Sequence, residues 1–313
     1  MMKFAYVFPG QGSQSVGMMT AWEDHQNTVT EVYAEASDVL GYDLWTVVSE
    51  GPEKRLNQTE VTQPAMLCAG VASWRIASQQ AGMPGAALMA GHSLGEYTAL
   101  VCAQSLKLDA AVSLVARRGQ LMQSAVAEGE GSMAAIIGLS DEDVIKACGQ
   151  VANGVVEAVN FNAPGQVVVA GDKDAVALAM EQARALGAKR ALPLPVSVPS
   201  HCALMKDAAD ALALELETVN FEMPGLPVIH NQSATVVASV DEIREKLRLQ
   251  LFQPVKWVAS IEQMRVQGIE GLVECGPGKV LTGLARRIDK SLSAVAVFDA
   301  ASLQNTQKTL GEL

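Results

Sequence analysis

A serine flanked by glycines, Gly91-His92-Ser93-Leu94-Gly95, follows the small apolar run Ala86–Ala90 and leads into residues of helical pattern. A G-x-S-x-G stretch between a strand and a helix is what a nucleophile elbow requires, because the sharp turn lifts the hydroxyl out of the sheet. The amides and dipole of the following helix favour negative charge developing there. Glycines also collect where a strand packs closely against a helix, so the motif by itself leaves a structural role open. A serine hydroxyl becomes a useful nucleophile only when a nearby base takes its proton. The chain offers four histidines. His25 lies in the polar stretch Glu23–Asn27 and reads as solvated, while His92 adjoins Ser93 on a turn where neighbouring side chains diverge. His201, which follows "PLPVSVPS", and His230, at the end of a strand-like run, both remain as possible bases.

Arg118 is the second residue with chemical promise. In the helical stretch Ala110–Val126, Ala111, Leu114, Val115, Leu121, Met122 and Ala125 share one face, and Arg118 sits among them. Arg117 falls instead with Ser113, Gln120 and Ser124 on the polar face. A guanidinium on the buried side needs an anion, since an uncompensated buried charge costs several kcal/mol. Two partners fit: an internal Asp or Glu, or the carboxylate of a substrate, which the planar fork matches with parallel hydrogen bonds. The loop "FPGQGSQSVGMM" is the third feature. Its glycines at 10, 12 and 17 have neither Walker A nor G-x-G-x-x-G spacing. Glycine does let a backbone amide approach a reacting oxygen, so an oxyanion donor is the better reading of this loop.

Elements of two kinds must position these residues. Lys3–Phe8, Ala86–Ala90, Leu226–His230 and Gly271–Cys275 read as strands. Helical patterns cover Thr28–Leu40, Pro64–Gln80, Glu96–Gln104, Ala110–Val126 and Val240–Leu251, and another helix opens after Gly276-Pro277-Gly278. Short apolar strands alternating with helices imply an α/β fold with a mainly parallel sheet covered on both faces. The middle differs. Ser132–Gly138, Val155–Asn162, Gln166–Ala170 and Lys189–Val196 read as strands, with helices over Asp141–Val151 and Asp174–Leu186. That order is βαββαβ, the split arrangement of a ferredoxin-like unit. It predicts a small domain over 130–196 inserted into a discontinuous large domain, 1–129 and 197–313.

Composition narrows the function further. The chain has 313 residues, of which 49% are hydrophobic and only 4% aromatic, so a large core must be built from aliphatic side chains. A net charge of -11 argues against nucleic acid or an anionic membrane as partner, both being polyanions. Five scattered cysteines without a C-x-x-C pair suggest neither a zinc site nor a disulfide framework. No stretch approaches the roughly 18 apolar residues of a membrane span, and the apolar N-terminal run is too short for a signal peptide. A cytoplasmic location is the resulting expectation.

Taken together, PGQGSQ after the first strand, GHSLGEY, the Arg118 helix and "LPLPVSVPSHCALM" resemble the malonyl-CoA:acyl carrier protein transacylases, acyltransferases of fatty-acid synthesis. "NFNAPGQVVVAG", "LFQPVKW" and "ECGPGKVLTGL" extend the resemblance, in family order, over essentially the whole chain. The family's fold is a hydrolase-like core with an inserted ferredoxin-like domain, in line with the order of elements above.

Carried over by position, the resemblance implies that Ser93 is the acylated nucleophile and His201 its base. It implies that Arg118 clamps the free carboxylate of the malonyl group. Gln11 and Leu94 match the positions whose backbone amides form the oxyanion hole, and Gln250 the one whose carbonyl orients the histidine. Asn162 and Asn231 match polar residues near the pocket. Ser200 stands where malonyl-selective relatives often carry Phe, which leaves room beside the acyl group. The implied partners are malonyl-CoA and CoA and an acyl carrier protein, with no metal and no cofactor. Lys189 with Arg190, or Lys279 with Arg286 and Arg287, are candidate basic sites for the acidic carrier. Rival readings are a serine esterase or thioesterase on the same core and a non-catalytic carrier-binding module.

Overall fold

Phe4–Phe8 is apolar at every position because both faces of its strand are covered. In the computed structural model, which describes residues 2–196 and 198–312, Lys3–Phe8 (β1) is the central strand of a five-stranded sheet. Its neighbours are Ala86–Gly91 (β2) on one side and Ile269–Cys275 (β8) on the other, with Val228–Ile229 (β7) and Ser293–Val297 (β9) at the edges. Every pairing is parallel, and the register sets Phe8 beside Gly91 and Val7 beside Glu274. All three inner strands therefore stop at the same edge. The loops Pro9–Gly12, His92–Leu94 and Gly276–Lys279 are thereby brought side by side at the carboxyl ends of the strands, where open α/β sheets bind ligands.

The helix Thr59–Ser78 runs between β1 and β2, is buried on nearly every face, and carries Pro64 in its second turn. The sequence pattern places its start at Pro64, because proline favours a first turn. The helix begins five residues earlier, with the amides of Val61 and Thr62 both donating to the Gln58 carbonyl. The arginine-bearing helix spans Leu108–Ser124 and buries Ala111, Leu114, Val115, Arg118 and Met122, as its periodicity predicts. β7 is shorter than the expected Leu226–His230, since Pro227 has no N–H to donate and His230 pairs back to Thr235. The helices Lys206–Thr218 and Trp257–Val266, the strand β9 and the helix Ala300–Gly311 add to the elements read from sequence.

A second, four-stranded sheet is built from Gly131–Ile137 (β3), Val156–Ala163 (β4), Gln166–Asp172 (β5) and Arg190–Pro193 (β6). It is antiparallel throughout, in the order β4-β5-β3-β6, the ferredoxin-like order expected. Helices Asp141–Gly149 and Lys173–Ala185 cover it, and Ile136, Val144, Val167, Val169, Val176 and Ala179 form a core separate from that of the large sheet. β6 ends at Pro193 rather than continuing to Val196, because Pro193 and Pro195 interrupt the ladder's donors. The expected junction at residue 197, and the chain ends at 1 and 313, lie outside the described residues. The edge strand β4 is not left open. Val255 donates to the Val159 carbonyl at 2.8 Å and accepts from the Phe161 amide at 3.0 Å, which binds the small sheet to the large unit.

Candidate active site

Ser93 has φ 52°, a left-handed conformation that a non-glycine residue adopts only when its surroundings impose it. The two motif glycines are what allow that turn. A Cβ on Gly91 would overlap the Gly95 carbonyl, and one on Gly95 would overlap the carbonyl of Phe8 in β1. Strand, turn and helix thus meet backbone to backbone. Gly10 extends the arrangement, since a Cβ there would lie 2.5 Å from the His92 carbonyl oxygen. Asn231 then fixes the elbow from beneath: its Oδ1 accepts from the Ser93 amide at 2.6 Å and its Nδ2 donates to the Gly91 carbonyl at 2.6 Å. The Leu94 and Gln11 amides make no hydrogen bond among the described residues.

Of the two candidate bases, the structure brings His201 to the serine. Its Nε2 lies 2.8 Å from Ser93 Oγ, and its Nδ1 lies 2.6 Å from the Gln250 carbonyl oxygen. A carbonyl only accepts, so Nδ1 carries the proton and Nε2 presents its lone pair to the hydroxyl. Burial, and secondarily the positive charge of Arg118, push the His201 pKa down to about 3. The imidazole is therefore neutral at physiological pH. His230 is fully buried and bonded through Nδ1 to Glu96 Oε1 at 2.7 Å, away from the serine. His25, half-buried, sits in a short 3-10 turn far along the chain from these groups.

Arg118 is almost entirely buried, with its guanidinium 5.4 Å from the centre of the Tyr97 ring. Nη1 donates to Gln63 Oε1 at 2.9 Å, and Nη2 donates to Gln250 Oε1 at 2.9 Å and to Ser93 Oγ at 3.3 Å. Nε has no acceptor, and no ion pair to Arg118 exists among the described residues. The internal Asp or Glu partner that the sequence leaves open is thus not found. Burial lowers the Arg118 pKa, although Tyr97 and Glu96 act against that shift. By contrast Arg117 is exposed and pairs with Glu215 at 3.0 Å.

Direct hydrogen bonds link Ser93 to His201 and to Arg118, and Gln250 to all three. Asn162 is linked one step away, its Oδ1 accepting from His92 Nε2 at 2.8 Å across the junction with β4. Ser200 lies next to the histidine, half-buried, its hydroxyl facing the Val198 carbonyl at 3.5 Å. Two participants escaped the sequence reading. Glu96, fully buried, accepts from the Asn231 amide and Gln250 Nε2, both at 2.9 Å, as well as from His230. Gln63 holds Arg118 from the long buried helix. A charged residue inside the apolar helix Gly95–Cys102 was the available signal for Glu96; Gln63 gave none. No cluster of three or more His, Cys, Asp or Glu suited to a metal occurs among the described residues. All five cysteines are buried, and burial raises Cys202, beside His201, to about 12.

The chain is similar to known proteins over nearly its whole length. Residues 5–303 match the family model "Acyl transferase domain". The malonyl CoA-acyl carrier protein transacylase of Salmonella typhimurium is 55% identical over 97% of this chain and 98% of its own, and that of Bacillus subtilis 39% identical over 100% and 98%. Among solved structures, an acyl carrier protein S-malonyltransferase from Vibrio cholerae superposes with a TM-score of 0.94 at 55% identity, covering 97% of this chain and 99% of that one. A malonyl-transacylase solved in complex with its type II PKS acyl-carrier protein gives 0.95 at 52% identity, covering 98% and 99%. An elbow serine, a carbonyl-held histidine and a buried, unpaired arginine thus stand on a fold shared along nearly its whole length, and the chain belongs to the malonyl CoA-acyl carrier protein transacylases of the acyl transferase family.

Proposed function

We propose that this protein transfers the malonyl group from malonyl-CoA to the phosphopantetheine thiol of an acyl carrier protein, by way of an ester on Ser93. The observation that carries the mechanism is the unbroken chain from Ser93 Oγ through His201 to the Gln250 carbonyl, with Arg118 beside the hydroxyl. The malonyl carboxylate pairs with Arg118. Ser93 Oγ attacks the thioester carbon while its proton passes to His201 Nε2. Negative charge on the carbonyl oxygen rests on the Leu94 amide at the head of the elbow helix and the Gln11 amide in the loop after β1. The C–S bond then breaks, and His201 returns the proton to the CoA sulfur. The carrier's thiol next gives its proton to His201, attacks the ester carbon, and leaves Ser93 reprotonated. Each half-reaction balances with these groups and the two thiols, so we assign no metal or redox cofactor. The Gln250 carbonyl takes the place of the carboxylate that is the third member of a triad.

No helix among the described residues is long and apolar enough to cross a membrane. The five unpaired cysteines support a reducing, cytoplasmic setting. Intact-protein mass after mixing with malonyl-, acetyl- and methylmalonyl-CoA tests the proposal. A single malonyl adduct, absent from Ser93→Ala and discharged by holo carrier protein, is the expected result. An adduct that persists on Ser93→Ala would overturn the nucleophile, and loss of the acyl group to water in preference to the carrier would favour a thioesterase.

A further inference from the structure

The three acceptors of Arg118 are all neutral, and their orientations follow from their other partners. Gln250 stands between Glu96, a carboxylate that only accepts, and Arg118, a cation that only donates. Its Nε2 must face the first and its Oε1 the second. Gln63 is fully buried and likewise turns Oε1 to the guanidinium, with Nε2 3.3 Å from Met122 Sδ. A carboxylate at 250 would confront Glu96. At 63 it would confront only a thioether, and it would fit the same volume. Position 63 is therefore where acid or amide is a free physical choice, and an acid there would neutralise Arg118 before any substrate arrived.

We propose that Gln63 is a specificity-determining residue, which holds Arg118 with a neutral oxygen so that the cation's charge is reserved for an acyl group bearing a carboxylate. The inference rests on the reading of Arg118 as the carboxylate clamp. With the amide in place, a malonyl group supplies the missing counter-charge, whereas an acetyl group leaves a buried cation unpaired. With an acid in place, the order reverses, because the malonyl carboxylate meets a site already neutral.

Acylation rates with malonyl- and acetyl-CoA on Gln63→Glu, Gln63→Met and Arg118→Ala, each checked for folding by its melting temperature, test this. Gln63→Glu lowers kcat/KM for malonyl-CoA by roughly 30-fold or more, the loss of a desolvated charge pair, without a parallel fall for acetyl-CoA. Gln63→Met, of similar size but uncharged, keeps the preference for malonyl. Should Gln63→Glu not fold, Gln63→Asp, which brings the same charge on a shorter side chain, takes its place, and an unchanged malonyl-to-acetyl ratio there overturns the inference. An unchanged malonyl-to-acetyl ratio in Gln63→Glu, or an equal collapse in Gln63→Met, also overturns it. If the ratio survives in Arg118→Ala as well, the clamp itself falls, so the two failures are distinguishable.

Discussion

Arg118 and His201 share one constraint: each is a group of positive or potentially positive charge, buried without a carboxylate in direct contact. For Arg118→Ala, losing a largely desolvated charge-assisted pair costs on the order of 2–5 kcal/mol, roughly 30- to several-thousand-fold in kcat/KM for malonyl-CoA. Acetyl transfer should not fall in parallel, and lysine should rescue only partly for want of the planar fork. Single-turnover acylation of a folded variant checks both. His201→Ala should slow acylation by about 10²–10⁴-fold, while His230→Ala, which breaks the Glu96 contact instead, should spare the chemistry relative to it. The depressed pKa of His201 has two further consequences. Acylation should hold steady as pH falls from 8 to 5, since the base stays neutral, and in Arg118→Ala the acid limb should move to higher pH. Because the unfolded histidine binds a proton near 6.5 and the folded one only near 3, stability is retained above 6.5 and declines as pH falls through that window. Denaturant titrations of wild type and His201→Gln across pH 4–7 should show the variant losing less.

The elbow is the element on which these groups depend, and its glycines are steric requirements. Gly95→Ala should destabilise the protein by more than the ~1 kcal/mol typical of point substitutions and abolish labelling of Ser93, because β1 and the helix Gly95–Cys102 would be forced apart. Thermal melts together with acyl-adduct mass test that pairing of effects. Much of this level was legible in sequence. The glycine spacing announced the strand-turn-helix junction, the apolar stripe announced that Arg118 is buried, and the order of strands announced the second sheet. Periodicity reports which face of an element is covered but not which distant side chain meets it. For that reason residue pattern left His201 and His230 undivided, and only the family resemblance chose between them before the fold did. Gln63 and the side chain of Gln250 reach Arg118 from helices 187 residues apart in sequence, contacts that no local pattern encodes. Pro64 misled for a related reason: a proline tolerated inside a buried helix looks like one that begins it.

At the scale of the molecule, one residue from each of the two basic sites read separately from sequence, Arg190 and Arg287, lies on one face. Arg190 of β6 and Gln166 of β5 both pair with Ile137 of β3, which sets them about 10 Å apart, and Arg287 of the helix Val280–Ile288 donates to Gln166 Oε1. Lys189, Arg190 and Arg287 are exposed, against a net charge of -11 for the whole chain. Reversing the charge of Arg190 and Arg287 together should raise KM for an acidic carrier protein and flatten its salt dependence, leaving malonyl-CoA kinetics unchanged. Unaltered carrier kinetics would remove this face as the docking site. The tie between the two sheets bears on how any partner reaches the serine. Within the eight residues from Gln250 to Trp257 lie the carbonyl that holds His201, the Val255 amide and carbonyl bonded to β4, and the indole that packs beside His92. A jaw-like rotation of the small unit would pull on His201 through the short segment from Gln250 to Val255. The small sheet is therefore geared to the imidazole beside Ser93, and a partner that displaces one displaces the other.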